Sequence, residues 1–407
     1  MINEQNKNTW CVNAFHGMSA NNDGTTKLCC MYRPTDFNQV LGVDSIDEHF
    51  NKREFIKVRE ELNNGIRHKN CQLCWDEEDS GRTSKRLRDN KKYQTYILKN
   101  EPYNGLSYLE LNLGNNCNLS CRTCGPQISS GWMKEDFKTN YNTSKFKLST
   151  ITYKEYSEKF KKFYKSYSED SIFWEDLTTH LPNIKQFDFY GGEPFMSKKM
   201  WEILRIADQM GVSKNIELHY NTNGTHLPSE LLSVWKNFKK VYLSFSIDGI
   251  EDTFEYMRYP AKWDHVLNNM NEFVKIGDQY GNIHMSWCIT ISVANVYSVP
   301  ETVEFYQKNF ADKMGMYLNL VHGPVYHNIS ILPDSVKNIV KDRLESIPKE
   351  YTIAWQHIPG IVSFMNLKNY NQEKLKEFFE TTTKSDVHRS QDFYITFKEY
   401  AHNFKNV

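Results

Sequence analysis

Three thiols stand within eight residues of this chain, Cys117-Asn118-Leu119-Ser120-Cys121-Arg122-Thr123-Cys124, at spacings of four and three. They directly follow the alternating run Leu109-Glu110-Leu111-Asn112-Leu113, which reads as a strand. The cysteines therefore belong to the loop at its C-terminal end. Thiolates are the ligands of iron–sulfur clusters, and a four-iron cluster with only three protein ligands keeps one iron open for a second molecule. From the residues alone, three ordinary loop cysteines or part of a zinc site are the competing readings.

A second set of thiols precedes this loop. Cys11 comes first, Cys29 and Cys30 follow the turn Asn21-Asn22-Asp23-Gly24, and Cys71-x-x-Cys74 is succeeded by Trp75. An Asp-Gly turn between short segments reads as a hairpin. Four ligand positions, Cys11, Cys29, Cys71 and Cys74, could hold either a zinc ion or a four-iron cluster, and spacing does not choose between them. Cys29 and Cys30 point in different directions in any extended segment, so one of them ligates, and Cys29 is expected. A charged stretch from about residue 46 to 65 reads as a helix with a sparse apolar face of Phe50, Phe55 and Leu62. The basic run Ser84-Lys85-Arg86-Leu87-Arg88 with Lys91-Lys92 has no interleaved aromatics, which favours a solvated helix face over a nucleic-acid contact.

From residue 106 short apolar or alternating runs recur at 106–113, 184–190, 216–221, 241–247, 284–293 and 315–321. Helical patterns separate them, near 153–178, 198–211, 229–237, 262–280 and 300–311. Strands alternating with helices imply a parallel sheet with right-handed crossovers. Six units are fewer than the eight of a full barrel, so the fold class is α/β, a partial (βα)6 TIM-like barrel. The expected organisation is a small cysteine-rich module over residues 1–100, the barrel over 101–330, and a helical C-terminal tail over 331–407. In parallel barrels the chemistry collects on loops after the strands. Here those loops carry the three cysteines, Gly191-Gly192-Glu193-Pro194, Asn221-Thr222-Asn223-Gly224 and Ser246-Ile247-Asp248-Gly249.

The CxxxCxxC loop resembles that of the radical S-adenosylmethionine (radical SAM) superfamily, and Gly191–Pro194 is similar to the family's GGEP motif. The resemblance implies a [4Fe-4S] cluster with an open iron on Cys117, Cys121 and Cys124, and S-adenosylmethionine as the molecule that meets it. It further implies that Glu193 accepts hydrogen bonds from the methionine amine. Thr222, Asn223, Ser246 and Asp248 resemble the region that contacts carboxylate and ribose. Arg258 resembles a carboxylate-pairing arginine, and Asn295 a polar residue near the adenosyl group. The residue before the third cysteine is usually aromatic, whereas here it is Thr123. The first hundred residues resemble the twitch module, a half-size relative of the SPASM domain, which implies a second, auxiliary [4Fe-4S] cluster on Cys11, Cys29, Cys71 and Cys74.

Lys+Arg and Asp+Glu are both 50, which gives no net attraction to nucleic acid or anionic membrane. No apolar run approaches the length of a membrane span, and the polar N-terminal residues lack a signal-peptide core. A cytoplasmic location is expected, with no nucleic-acid or membrane partner. Nine cysteines in a chain of this size suit metal or cluster ligation better than a disulfide framework, and Cys288, inside a strand-like run, is expected to be a small buried hydrophobe. The expected function is reductive cleavage of S-adenosylmethionine to a 5′-deoxyadenosyl radical that takes hydrogen from a peptide or protein, in an oxidation or cross-link. Such an oxidoreductase or maturase needs an external one-electron reductant such as flavodoxin or ferredoxin. The alternatives are a cluster-binding interaction protein with a non-catalytic barrel, and a single-cluster enzyme with structural zinc on the N-terminal cysteines.

Overall fold

The alternation at Tyr108-Leu109-Glu110-Leu111-Asn112 sends apolar and polar side chains to opposite faces of a strand, β3 (Tyr108–Asn112). The computed structural model describes residues 2–34, 41, 44–79, 81, 83–98, 105–139, 152–163 and 171–404. Two short strands precede β3, β1 (Gly17–Ala20) and β2 (Thr26–Lys27). Five follow it: β4 (Gln186–Tyr190), β5 (Glu217–Thr222), β6 (Lys240–Ser246), β7 (Ile283–Ile291) and β8 (Gly315–Leu320). The sheet order is β2-β1-β3-β4-β5-β6-β7-β8. The β1–β3, β3–β4, β4–β5 and β7–β8 pairs are parallel, and the β1–β2 hairpin is antiparallel. The six strands expected from residue 106 onward are present. The first hundred residues add two more, which pair as the hairpin expected around the Asn21–Gly24 turn; the pairing of β1 with β3 was not legible, because Gly17-Met18-Ser19-Ala20 is short and lacks alternation.

Two compact units divide the chain: residues 1–115, 164–220 and 229–241 form one, and residues 116–163, 221–228 and 242–407 the other. In the first, registry stacks like on like. Leu109 faces Phe187, which faces Leu218, and Leu111 faces Phe189, which faces Tyr220. All six are fully buried, and each such side chain removed from water is worth about 1.5–3 kcal/mol. The opposite face of the same strands is polar, with Glu110 paired to Asp188 and Asp188 to His219. The interiors of parallel barrels are usually filled by Val, Ile and Leu, whereas Glu110 and Asp188 on this face are buried polar residues.

The helix Lys85–Leu98 carries the basic run. The expected solvated face holds for Arg88, Lys91 and Lys92, which are exposed, but not for the start of the run: Lys85 is largely enclosed between Glu110 and Asp89, each at 2.9 Å, and buried Arg86 pairs with Glu78 and donates to the Trp10 carbonyl at 2.9 Å. Glu110 lies far along the chain, outside what a local charge pattern registers. The expected helix over 46–65 is two, Ile46–Phe50 and Arg53–Asn63, the first closed at its start by a Ser45/Glu48 capping box. The turn at Asn21–Thr25 forms as expected, with Gly24 at φ +84°.

In the second unit the helix Trp263–Tyr280 buries Trp263, Val266, Met270 and Phe273, and Phe273 meets Phe245 of β6 at 5.2 Å between ring centres. Cys288 is buried within β7, as expected. The C-terminal stretch is helical: Asp334–Glu345, Ile358–Asn366 and Gln372–Arg389 are its longest elements. Among the described residues no helix is long and apolar enough to cross a membrane.

Candidate active site

The loop after β3 holds the three sulfurs, and backbone bonds fix its path. Ser120 N–H donates to the Tyr259 carbonyl at 2.7 Å, and Arg122 N–H to that of Met257 at 2.9 Å. Trp132 Nε1 donates to the Cys121 carbonyl at 2.9 Å, and Cys124 N–H to the same oxygen at 3.0 Å. The loop is thus tied to the end of the helix Glu251–Met257. Each of the first two sulfurs receives donors. Cys117 Sγ accepts from Leu119 N–H at 3.5 Å and Asn223 Nδ2 at 3.9 Å, while Cys121 Sγ accepts from Arg258 Nη1 at 3.7 Å.

These contacts shift the thiols. A hydrogen bond from the Cys124 thiol and the nearby Arg258 guanidinium lower Cys121 to about 7, against the opposing effect of burial. The same bond, with burial, raises Cys124. Of the two, Cys121 is the readier to become the thiolate, the form that binds iron. Arg258 is itself buried, yet Asp248 at 2.7 Å and the Cys121 and Cys124 sulfurs strengthen its hold on its proton. Arg258, expected to meet a ligand carboxylate, is engaged here with Asp248 and Cys121.

Asn223 folds back into a turn, accepting from Thr225 N–H at 2.9 Å and donating to Asn118 Oδ1 at 2.9 Å. Thr222 closes β5, with its hydroxyl oxygen accepting from Gly224 N–H at 3.2 Å. Ser246 ends β6, half-buried. Asn295 fills its capacity internally: Nδ2 donates to the Asp248 and Thr290 carbonyls, and Oδ1 accepts from Ser292 N–H and Oγ, all within 3.0 Å. It ties together the chain leaving β6 and β7.

In the first unit, Gly191-Gly192-Glu193-Pro194 follows β4. Gly191 sits at φ +104°, and a Cβ there would lie 2.6 Å from Leu113 N and 2.7 Å from the Gly114 carbonyl oxygen. Glycine is demanded by backbone packing against the end of β3. Replacing Gly191 with Ala should therefore cost about 1–3 kcal/mol from the backbone angle alone, with the clash adding to it. An unchanged urea midpoint for that variant would contradict this account. Glu193 is buried and caps a short 3-10 turn by accepting from Phe195 N–H at 3.3 Å. Phe195 anchors that turn against Tyr220 and Trp235.

The first unit also gathers Cys11, Cys29 and Cys71 on the rim of an apolar cluster containing Leu28, Tyr32, Phe55, Val58, Leu62 and Trp75. Burial pushes the Cys11 thiol up to about 12, with Cys74 adding to the effect, and Cys29 is raised by burial and by Cys30, Glu110, Cys11 and Cys74. Cys71 is raised by burial, Cys11 and Cys74. Cys11 and Cys74 thus act on both Cys29 and Cys71. Cys30 faces Glu110 and Lys85 instead, and its N–H donates to Glu110 Oε2 at 2.6 Å. Among the described residues, no three or more His, Cys, Asp or Glu side chains converge as the ligands of one metal ion.

Sequence reasoning missed the polar face of β3–β5. Tyr108 Oη donates toward Asp188 Oδ2 at 2.5 Å, Tyr190 Oη toward the same oxygen at 3.2 Å, and His219 Nδ1 lies 3.6 Å from Asp188 Oδ1. Burial works against the Asp188 carboxylate, but His219, Lys85 and Tyr108 outweigh it and hold its pKa below the usual carboxylate range. The legible signal was a polar residue at every second position of β3 and β4.

Residues 111–285 match the model of the Radical SAM superfamily. That stretch is a radical SAM domain, a class whose members are enzymes that use a [4Fe-4S] cluster and S-adenosylmethionine. The chain is 26% identical over 208 residues to the Fe-coproporphyrin III synthase of Methanosarcina barkeri, covering 47% of this chain and 49% of the relative. It thus spans about half the length of that curated relative. Among solved structures it is similar to native anSMEcpe with bound AdoMet, at 15% identity and TM-score 0.38 over 59% of each chain. It is also similar to Streptococcus suis SuiB bound to precursor peptide SuiA, at 10% identity and TM-score 0.33 over 84% of this chain and 66% of that one.

Proposed function

We propose that this protein is a radical SAM enzyme whose Cys117, Cys121 and Cys124 hold a [4Fe-4S] cluster with one open iron. Bound there, the cluster would supply the electron that splits S-adenosylmethionine to a 5′-deoxyadenosyl radical, which takes hydrogen from a substrate. The observation carrying this reading is the Cys117–Cys124 loop itself: three thiols within eight residues, with N–H donors aimed at two of the sulfurs. Donors of this kind tune a cluster's potential. Asn223 and Arg258 supply those to Cys117 and Cys121. Asp248 neutralises Arg258 in a buried setting, and Asn295 fixes the Asp248 backbone. Glu193 is the proposed acceptor for the methionine ammonium, with Gly191, Gly192 and Pro194 shaping its turn and Thr222 and Ser246 serving ribose and carboxylate.

Cys11, Cys29, Cys71 and Cys74 are proposed to hold an auxiliary [4Fe-4S] cluster in a twitch-like module. The cluster would relay an electron from the substrate or anchor it. The substrate is read as a peptide or protein, modified by oxidation or cross-linking, with a flavodoxin or ferredoxin as reductant. Nine cysteines, with no disulfide among the described residues, suit a reducing compartment such as the cytoplasm. The likeness to an Fe-coproporphyrin III synthase favours a second reading, a porphyrin substrate.

Anaerobic reconstitution with iron and sulfide, followed by metal counting and assay for 5′-deoxyadenosine, tests this. Two clusters give about eight irons per chain. About four irons with retained zinc would remove the auxiliary cluster, and no 5′-deoxyadenosine from a fully loaded, reduced sample would leave a non-catalytic barrel.

A further inference from the structure

We infer that the C-terminal helix Gln372–Arg389 and the turn after it are a positioning device for the cysteine loop, acting through Arg122 and Asp386. This rests on the reading of Cys117, Cys121 and Cys124 as cluster ligands. Arg122 stands between two of those cysteines, and its side chain is buried. Its Nη2 donates to Asp386 Oδ1 at 2.5 Å and to Gln391 Oε1 at 2.8 Å, and its Nε to the Tyr256 carbonyl at 3.3 Å. The guanidinium lies 3.9 Å from the centre of the Tyr256 ring.

Asp386 is committed on both oxygens, since Oδ2 accepts from Phe393 N–H at 2.8 Å. Gln391 returns to the barrel segment by donating to the Glu255 carbonyl at 3.2 Å. Ser390, at φ +54°, makes the turn that brings Gln391 back.

A second route from the same helix reaches Cys121 from its other side. Arg389 donates to Glu135 Oε2 at 2.8 Å, with both side chains essentially buried. Its guanidinium lies 4.6 Å from the Trp132 ring and 4.9 Å from that of Tyr259. Trp132 donates to the Cys121 carbonyl, and the Tyr259 carbonyl accepts from Ser120 N–H. Cys121 is therefore bracketed: the next residue is gripped by Asp386 and Gln391, and its own carbonyl is held by an indole lying against Arg389. A surface tail needs neither device. Partners behind metal ligands commonly change metal affinity 10–100-fold when removed.

The test uses the full chain with its clusters reconstituted. Asp386→Asn should release iron to a chelator about 10-fold faster than the wild type, and alter the electron paramagnetic resonance change that S-adenosylmethionine produces in the reduced protein. Because Asp386→Asn leaves Arg122 buried with a weaker partner, the double variant Arg122→Met with Asp386→Leu separates folding from positioning. An apolar replacement of a buried ion pair often keeps stability. The double variant is expected to match the wild-type melting temperature while keeping the fast iron release and the altered spectrum. Wild-type iron release and spectrum in both variants would overturn the inference. Cys121→Ala defines the iron not held by this loop. If it lost no iron, the ligand reading itself would fail, independently of the variants at 122 and 386.

Discussion

Replacing Cys121 with Ala brings 5′-deoxyadenosine formation down to background, while the urea unfolding midpoint moves by no more than an ordinary buried substitution, about 1 kcal/mol. The expectation has two parts with separate causes. A cluster held by three thiolates loses a third of its protein ligands, and the two remaining sulfurs lie three and four residues away on the same loop. The fold loses little, because the loop's path depends on backbone bonds that Ala keeps: Ser120 to Tyr259, Arg122 to Met257, and the Cys121 carbonyl to Trp132. Activity with reconstituted enzyme and a urea titration, run side by side, check both parts. Retained turnover would contradict the ligand assignment. Loss of turnover with a collapsed midpoint would show that the thiol mainly serves packing.

Replacing Arg258 with Met gives the largest expected loss of stability, about 3–5 kcal/mol, because it strands the Asp248 carboxylate in the interior. The Asp248 side chain is fully buried, with Oδ1 held by Thr290 N–H at 2.8 Å and Oδ2 2.7 Å from Arg258. Burial already raises the Asp248 pKa, and Arg258 is the main opposing influence. Without Arg258 the folded-state pKa climbs further above that of the unfolded chain. Above the unfolded pKa the folded form then binds more protons than the unfolded one, so stability falls as pH rises toward the new value. The deficit of the variant should therefore shrink on acidification and widen toward neutral pH. Urea midpoints across that range measure it. The double variant Arg258→Met with Asp248→Asn should recover much of the loss and flatten the pH dependence, since it leaves no charge to strand. A pH-independent deficit would mean that Arg258 stabilises by packing instead.

The same two residues show how far the sequence could be read. Arg258 and Asp248 were both legible as candidate site residues from a motif and a loop position. Their pairing was not, because nine residues of helix and turn separate them and only the fold sets that distance. The strand pattern behaved differently. Alternation at 108–112 and 186–190 reflects a rule that acts residue by residue, so the strands appear where the sequence placed them. Short β1 carried no alternation, and its hydrogen bonds to β2 and β3 make it a strand.

Charge was the least local property. Lys85 and Arg86 read as solvent-facing because their partners, Glu110 and Glu78, are not in the same run. Arg122 was visible as a residue inside the cysteine motif, yet its partners Asp386 and Gln391 lie more than 260 positions onward.

By itself, then, the sequence determined the order of strands and helices and the chemistry of the loop Cys117 to Cys124. Both depend on residue type and short spacing, which the chain carries openly. Only the tertiary structure decided which buried charge neutralises which, which amide is already saturated, and what grips the cysteine loop from behind. Those outcomes depend on distances between residues far apart in the chain, and burial makes each of them energetically decisive.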